Sequence, residues 1–316
     1  MPLDHYVSQV YLRNFYSSKL GEKLFGIRKR DLHQFPCGSE DVCRIQNGST
    51  NEYLLHDRAI EEFLYGIEPK YNTAIDKLRR GEVDAECIYV ISGFIAYVQS
   101  CSPAGMRIHS AMPKNAVENT AKMLDAKGEM PPAPAALGGK NITELLETGV
   151  IKVEVDPKYP QSIGIGNIMD SVSAFGNFYW EILLNKYSDS PFFTSDFPVT
   201  IENTNLSRGL NRVVPLAPDL ALRIVPNIYY DKEAAKQNFS QHRFIIKKLS
   251  RKQVRTINKL IVQCAEKSVF YSGDQDWVQK FVSKFCRYRI EPLVEEIQVH
   301  NATYSIFNQK ISEIAG

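Results

Sequence analysis

The sequence has no surplus of either charge. Its 38 Lys and Arg against 36 Asp and Glu leave a formal net charge of +2 over 316 residues, too small for the whole-molecule field to imply a polyanionic partner. Any nucleic-acid surface must therefore come from local clustering. No apolar stretch is long enough for a signal sequence or a membrane span. The six cysteines, Cys37, Cys43, Cys87, Cys101, Cys264 and Cys286, contain no C-x-x-C pair. These absences predict a cytoplasmic protein with reduced thiols and no membrane partner, in which only Cys37 and Cys43 are close enough in sequence to suggest a bridge or a shared metal.

Nucleotide motifs are missing as well. In the GGKN run ending at Asn141, the residue five before Gly139 is Pro134 instead of glycine, and Asn141 stands where a phosphate loop needs Ser or Thr. The IGIGN run at Ile163 to Asn167 lacks the third glycine and the preceding strand of a dinucleotide fingerprint. Nothing around Ser195 resembles a G-x-S-x-G elbow, and no internal repeat is visible.

What is present is ordinary globular material, 44% hydrophobic and 23% charged, enough for one large domain or two of roughly 150 residues each. Ile60, Phe63, Leu64, Ile67, Tyr71, Ala74, Ile75 and Leu78 recur at helical spacing and predict one helix over 56–80. Further helices are expected over 83–101, apolar on most sides and therefore central, and over 114–126. Lys127 to Asn141 holds three prolines and three glycines and reads as a linker or exposed loop. Beyond it, short β-rich runs begin at Ile151, Phe178, Pro191, Arg212, Leu220 and Arg243. Helices are expected over 250–267 and 276–287, with an extended segment over 304–307. The pattern is α+β: a mainly helical region 1–126, a linker 127–141 and a mixed region 142–316, either separate or packed as one domain with the first.

Three constellations, beside a pair of helix carboxylates, carry candidate chemistry. The opening DHYVSQVYLRNF puts His5 and Arg13 among Tyr6, Tyr11 and Phe15. Read as a helix over 6–15, it sets a neutral-range base and a planar phosphate-binding fork beside an aromatic stripe. On the 56–80 helix, Glu61 and Glu68 fall about 80–100° from the centre of the apolar stripe, where a carboxylate is partly desolvated. In PFFTSDFPV, Ser195 and Asp196 end an apolar run just before Pro198. Asp196 there is equally a ligand or base and a turn cap. The third constellation is electrostatic. Arg243, Lys247, Lys248, Arg251, Lys252, Arg255 and Lys259 follow one another with no intervening acid, and Arg251, Arg255 and Lys259 line one face of an amphipathic helix suited to phosphates.

These residues also carry a resemblance. HYVSQVYLRNF, IEEFLYGIE, PFFTSDFPV, VVPLAPDLALRI and VRTINKLIVQCAEKSVFYS are similar, in this order, to the landmarks of domain-of-unknown-function family 4238. The resemblance implies a soluble, largely microbial protein with no established activity. It also implies that His5, Arg13, Glu61, Glu68, Ser195, Asp196 and Asn258 occupy the family's recurring polar positions, without assigning any of them a role. The family tends to have an arginine before a Ser/Thr-Pro step, where this chain has Cys101 in QSCSP. A phosphate site that used that arginine would here need Arg107 or the basic helix.

Carboxylates from separate segments, a histidine and a cationic flank predict a metal-assisted nuclease. Asp196 and Glu61 are expected to hold Mg2+ or Mn2+, His5 to move a proton, and Arg13 to neutralise phosphoryl charge. Glu61 and Glu68 lie about 10 Å apart along an ideal helix, so they do not both ligate one ion, and one of them serves instead as base or as a partner that orients a ligand. A toxin or defence role would follow from that activity. The alternative expectation is a non-catalytic nucleic-acid or protein-binding module that uses segment 243–259.

Overall fold

The computed structural model describes residues 2–131, 133–204, 209–233, 235, 238–300 and 302–314. At its centre is the helix Ala85–Cys101, capped by Asp84, whose side chain accepts from Cys87 N. Its sequence is apolar on nearly every side, and it is accordingly wrapped by Tyr71–Arg80, Lys158–Gly166 and Ile168–Asn177. Gly93 allows a close approach: a Cβ there would stand 2.3 Å from Ile67 Cδ1. One cluster of buried side chains runs from Val7, Tyr11 and Phe15 through this helix to Trp180, Val199 and Ile224, so the helical and mixed regions share a core.

The expected 56–80 helix is in fact three pieces: Ala59–Tyr65, a 3-10 turn Glu68–Lys70 and Tyr71–Arg80. Pro69 is the cause, because its ring and missing N–H cannot continue an α-helix. The IKVEV run is a second departure. Ile151, Val153 and Val155 are half-buried and alternate with exposed Lys152 and Glu154 as expected, but they pair with no strand among the described residues and the run remains irregular. The helices Lys158–Gly166 and Ile168–Asn177 follow it instead. His5 does not begin a helix. It ends the strand Leu3–His5, which pairs with Arg44–Gln46, and the helix is limited to Gln9–Arg13.

Two larger sheets flank the core. A five-stranded sheet runs in the order Arg243–Lys248, Tyr179–Leu184, Leu220–Val225, Leu210–Ala217, Thr200–Asn203, with only its first pair parallel. A four-stranded antiparallel sheet runs Gln34–Cys37, Leu24–Arg28, Ser268–Tyr271, Thr194–Ser195. The apolar run at Pro191 thus supplies two short strands, one to each sheet, with Asp196 at the crossing and Pro198 between them. The basic helix is Arg251–Cys264, opened by a Ser250/Gln253 capping box, and a short helix Trp277–Ser283 packs beside it. The extended segment expected at 304–307 is part of a long hairpin, Tyr288–Val299 with Ala302–Glu313. All six cysteines are unpaired. No single helix among the described residues is long and apolar enough to cross a membrane.

Candidate functional site

The opening stretch divides its residues between core and cleft. Val7, Tyr11, Leu12 and Phe15 are fully buried. The Tyr11 ring stacks on Phe94 at 4.7 Å, and its hydroxyl donates to the Pro215 carbonyl at 2.8 Å. His5 instead faces a shallow cleft of about 250 Å³, together with Asp4, Gln9, Ser49, Glu61 and Glu68. Burial lowers the pKa of His5. The Glu40 backbone raises it again in part, the nearby Arg44 guanidinium lowers it, and the Ser39 backbone and the Glu68 carboxylate raise it. Its Nε2 is buried with no hydrogen-bond partner among the described residues. A neutral imidazole with a vacant nitrogen beside a carboxylate is chemically a base.

Glu61 is less available than its neighbour. Arg58 clamps it through both Nε, at 2.7 Å, and Nη2, and also reaches Asp4 at 3.5 Å. Arg13 does not line the cleft: it lies exposed, 3.3 Å from Gln9 Oε1 and 3.4 Å from Ser39 Oγ. The structure therefore brings together His5, Glu61 and Glu68 and leaves Arg13 at their margin.

Asp196 lies outside that cleft and is 5% exposed. Its two oxygens accept the backbone N–H of Glu266 at 2.9 Å and of Lys267 at 2.7 Å, tying down the turn after the basic helix. Burial raises its pKa to about 6, while those N–H groups and the Lys29 charge work the other way. Lys29 is itself buried; its Nζ donates to the carbonyls of Ala265 and Tyr288, and burial pulls its pKa to about 8. Ser195 Oγ accepts from Phe197 N at 3.2 Å, and buried Asn258 accepts from Phe193 N and donates to Pro191 O. Three of the seven polar positions singled out by resemblance are thus engaged with backbone. Asp196 and Glu61 do not form one ligand set, and no group of three or more His, Cys, Asp or Glu among the described residues is arranged to hold a metal ion. Arg107 is no substitute phosphate ligand either, since its donors go to Glu266, Glu291 and the Ile290 carbonyl.

The basic helix forms a second cleft, of about 460 Å³, with the Trp277–Ser283 helix. Arg251, Arg255, Lys280 and Lys284 line it around Trp277 and Phe281, and Asp189 is its one acidic lining residue. The cations lie over aromatic surface. Arg251 sits 4.5 Å above the Tyr187 ring and pairs with Asp189, Arg255 lies 5.8 Å from the Phe281 centroid, and Lys259 lies 5.3 Å from that of Phe285. Lys259 itself does not line the cleft. Trp277 stacks one face on Phe193 at 5.6 Å and remains partly exposed. Sequence reasoning missed Trp277, Lys280 and Lys284. Their spacing, with Phe281, at i, i+3, i+4 and i+7 was the available signal.

The family model described as Protein of unknown function (DUF4238) matches residues 4–275, and the chain belongs to this family. The match takes in the His5 cleft, Asp196 and the whole basic helix, and it ends before Trp277. No curated protein and no solved structure matches the chain.

Proposed function

We propose that this family member binds single-stranded nucleic acid in the cleft between the basic helix and the Trp277–Ser283 helix. One observation carries the reading: four cations, Arg251, Arg255, Lys280 and Lys284, surround a partly exposed tryptophan against a single acid. Phosphates pair with cations irrespective of sequence, and a base stacks on an aromatic ring because every base has a π-face. The +2 net charge of the whole chain is no obstacle, since the cations are concentrated locally. The test is fluorescence anisotropy of labelled single-stranded DNA and RNA over a salt series. Replacing Arg255, Lys280 and Lys284 together by Gln is expected to reduce the slope of log affinity against log salt by about two units. Absence of binding by the wild type at low salt would overturn the reading.

A second reading is phosphodiester hydrolysis at the His5 cleft, favoured by the unpartnered Nε2 of His5 and the Glu68 carboxylate that lines the same cleft. His5 would take a proton from the attacking water or hydroxyl, and Glu68 would stabilise the imidazolium that results. Glu61, already held by Arg58, orients that arginine. The assay is incubation of labelled DNA and RNA with magnesium, manganese or EDTA, beside His5→Ala and Glu68→Gln. Cleavage that both substitutions abolish supports hydrolysis; equal cleavage by the variants rejects this cleft.

A further inference from the structure

Between the helical layer, the five-stranded sheet and the long hairpin lies a third cavity, of about 380 Å³, within the size range of small-molecule sites. Its walls are mostly apolar, with Ile108, Met112, Ile163, Pro292 and Phe307 among them. Met112 and Ile163 are 55% and 47% exposed, so apolar surface stays in contact with water at this site. Neither cleft discussed above shares any of these residues.

One cation enters this apolar space. Arg212, from the strand Leu210–Ala217, lines the cavity and also a neighbouring one of about 290 Å³ beside Phe175 and Phe178. Its one hydrogen bond among the described residues runs from Nη1 to Gln309 Oε1 at 2.8 Å. Other half-buried arginines of this chain are differently provided for. Arg223 pairs with Glu181 and Glu202, and Arg107 pairs with Glu266 and Glu291. Arg212 forms no such ion pair among the described residues, and burial lowers its pKa to about 10, which leaves it cationic at neutral pH. A desolvated guanidinium without a counter-ion is costly, and an added carboxylate relieves that cost through two parallel hydrogen bonds.

His109 lines the same cavity. Burial, and then the Arg212 charge, lower its pKa. It therefore offers a neutral ring near pH 7, so the site carries one positive charge and selects a monoanion.

We propose that this cavity binds a small monocarboxylate with an apolar body, its carboxylate on the outward donors of Arg212 and its body against Ile108, Ile163 and Phe307. Guanidinium geometry matches a carboxylate fork, and the walls offer the apolar remainder the same transfer energy that drives core burial.

The test is isothermal titration of the full chain with octanoate and decanoate below their micelle concentrations, against the uncharged alcohols of equal length. The acids are expected to bind at least ten-fold more tightly than the alcohols. Arg212→Met should bring the acids down to the affinity of the alcohols and leave the alcohols unchanged. Ile163→Trp, at the exposed wall, should weaken both. The Arg212→Met chain should melt no lower than wild type, because it loses an unpaired charge. If that variant fails to fold, the acid-against-alcohol comparison and Ile163→Trp still decide. No binding of either acid, equal affinity for acid and alcohol, or unchanged acid binding by Arg212→Met would overturn the proposal.

Discussion

Ser195, Asp196 and Asn258 turn their polar atoms inward, onto backbone groups of 191–197 and 266–267, whereas Arg251, Arg255, Lys280 and Lys284 turn theirs outward around Trp277. The inward set stood out in the sequence as polar groups next to apolar runs, and so did Arg251 and Arg255, whereas Lys280 and Lys284 did not. The inward set lies where a chain segment leaves one sheet for another, a crossing that leaves backbone N–H and C=O groups without ladder partners. Side chains that satisfy such groups contribute to stability and have little left for a ligand. The outward set lies on regular helices, whose backbone groups bond largely within the helix, so its side chains are not taken up by backbone. A polar residue at an irregular crossing is thus more readily structural than one on a regular surface.

Substitution separates the two sets. The largest effect is expected at Asp196. Asp196→Ala leaves two backbone N–H groups without acceptors and removes a buried carboxylate whose charge acts on Lys29, and should cost about 3–5 kcal/mol in denaturant unfolding. Cleavage or binding lost only in proportion to the unfolded fraction would mark the residue as structural. Loss of activity in a chain of unchanged stability would break the comparison.

Asn258→Ala comes next, at about 2–3 kcal/mol, because it strands Phe193 N and Pro191 O in the core. Its nucleic-acid affinity should stay within two-fold of wild type. A large loss of affinity without loss of stability would place Asn258 among the functional residues.

The third prediction concerns pH. Asp196 binds its proton more tightly in the fold, at about 6 against an ordinary 3.8, chiefly through burial. The stability this group contributes is fully present below about pH 4 and lost as pH rises through about 6. Relative to Asp196→Asn, the wild type should therefore gain stability as pH falls from 7 to 5, read as the difference between their urea midpoints. A difference that stays constant across this range would mean that Asp196 does not titrate there.

The smallest stability effect is expected on the outward set. Arg251→Gln removes an ion pair with Asp189 whose partners are 55% and 62% exposed, so it should cost below about 1 kcal/mol. It should nevertheless lower the salt slope of nucleic-acid binding by about one unit. A stability loss as large as that of Asn258→Ala would erase the distinction between inward and outward polar groups.

Periodicity was enough to read the central helix Ala85–Cys101, the basic helix and the strands at Tyr179, Leu210, Leu220 and Arg243, because each carries its own apolar pattern. It also marked His5, Glu61 and Glu68, which share one cleft although 56 residues separate His5 from Glu61. Pro69 was visible, but the unbroken apolar spacing on both sides concealed the break it imposes on the 56–80 helix. Local pattern could not show that Ile151 to Val155 would lack a partner strand, since a ladder is a property of two segments. Nor could it show that Arg58 would take Glu61 and leave Glu68, that Asp196 would face backbone instead of solvent, or that Arg212 would enter an apolar cavity without a counter-ion among the described residues.

By itself, then, the sequence determined the α+β class, the family and the inventory of polar residues. These depend on composition and on spacing within a segment. Tertiary structure alone decided which of those residues meet, which are consumed by backbone and which remain free, because each outcome depends on a partner supplied from a distant part of the chain.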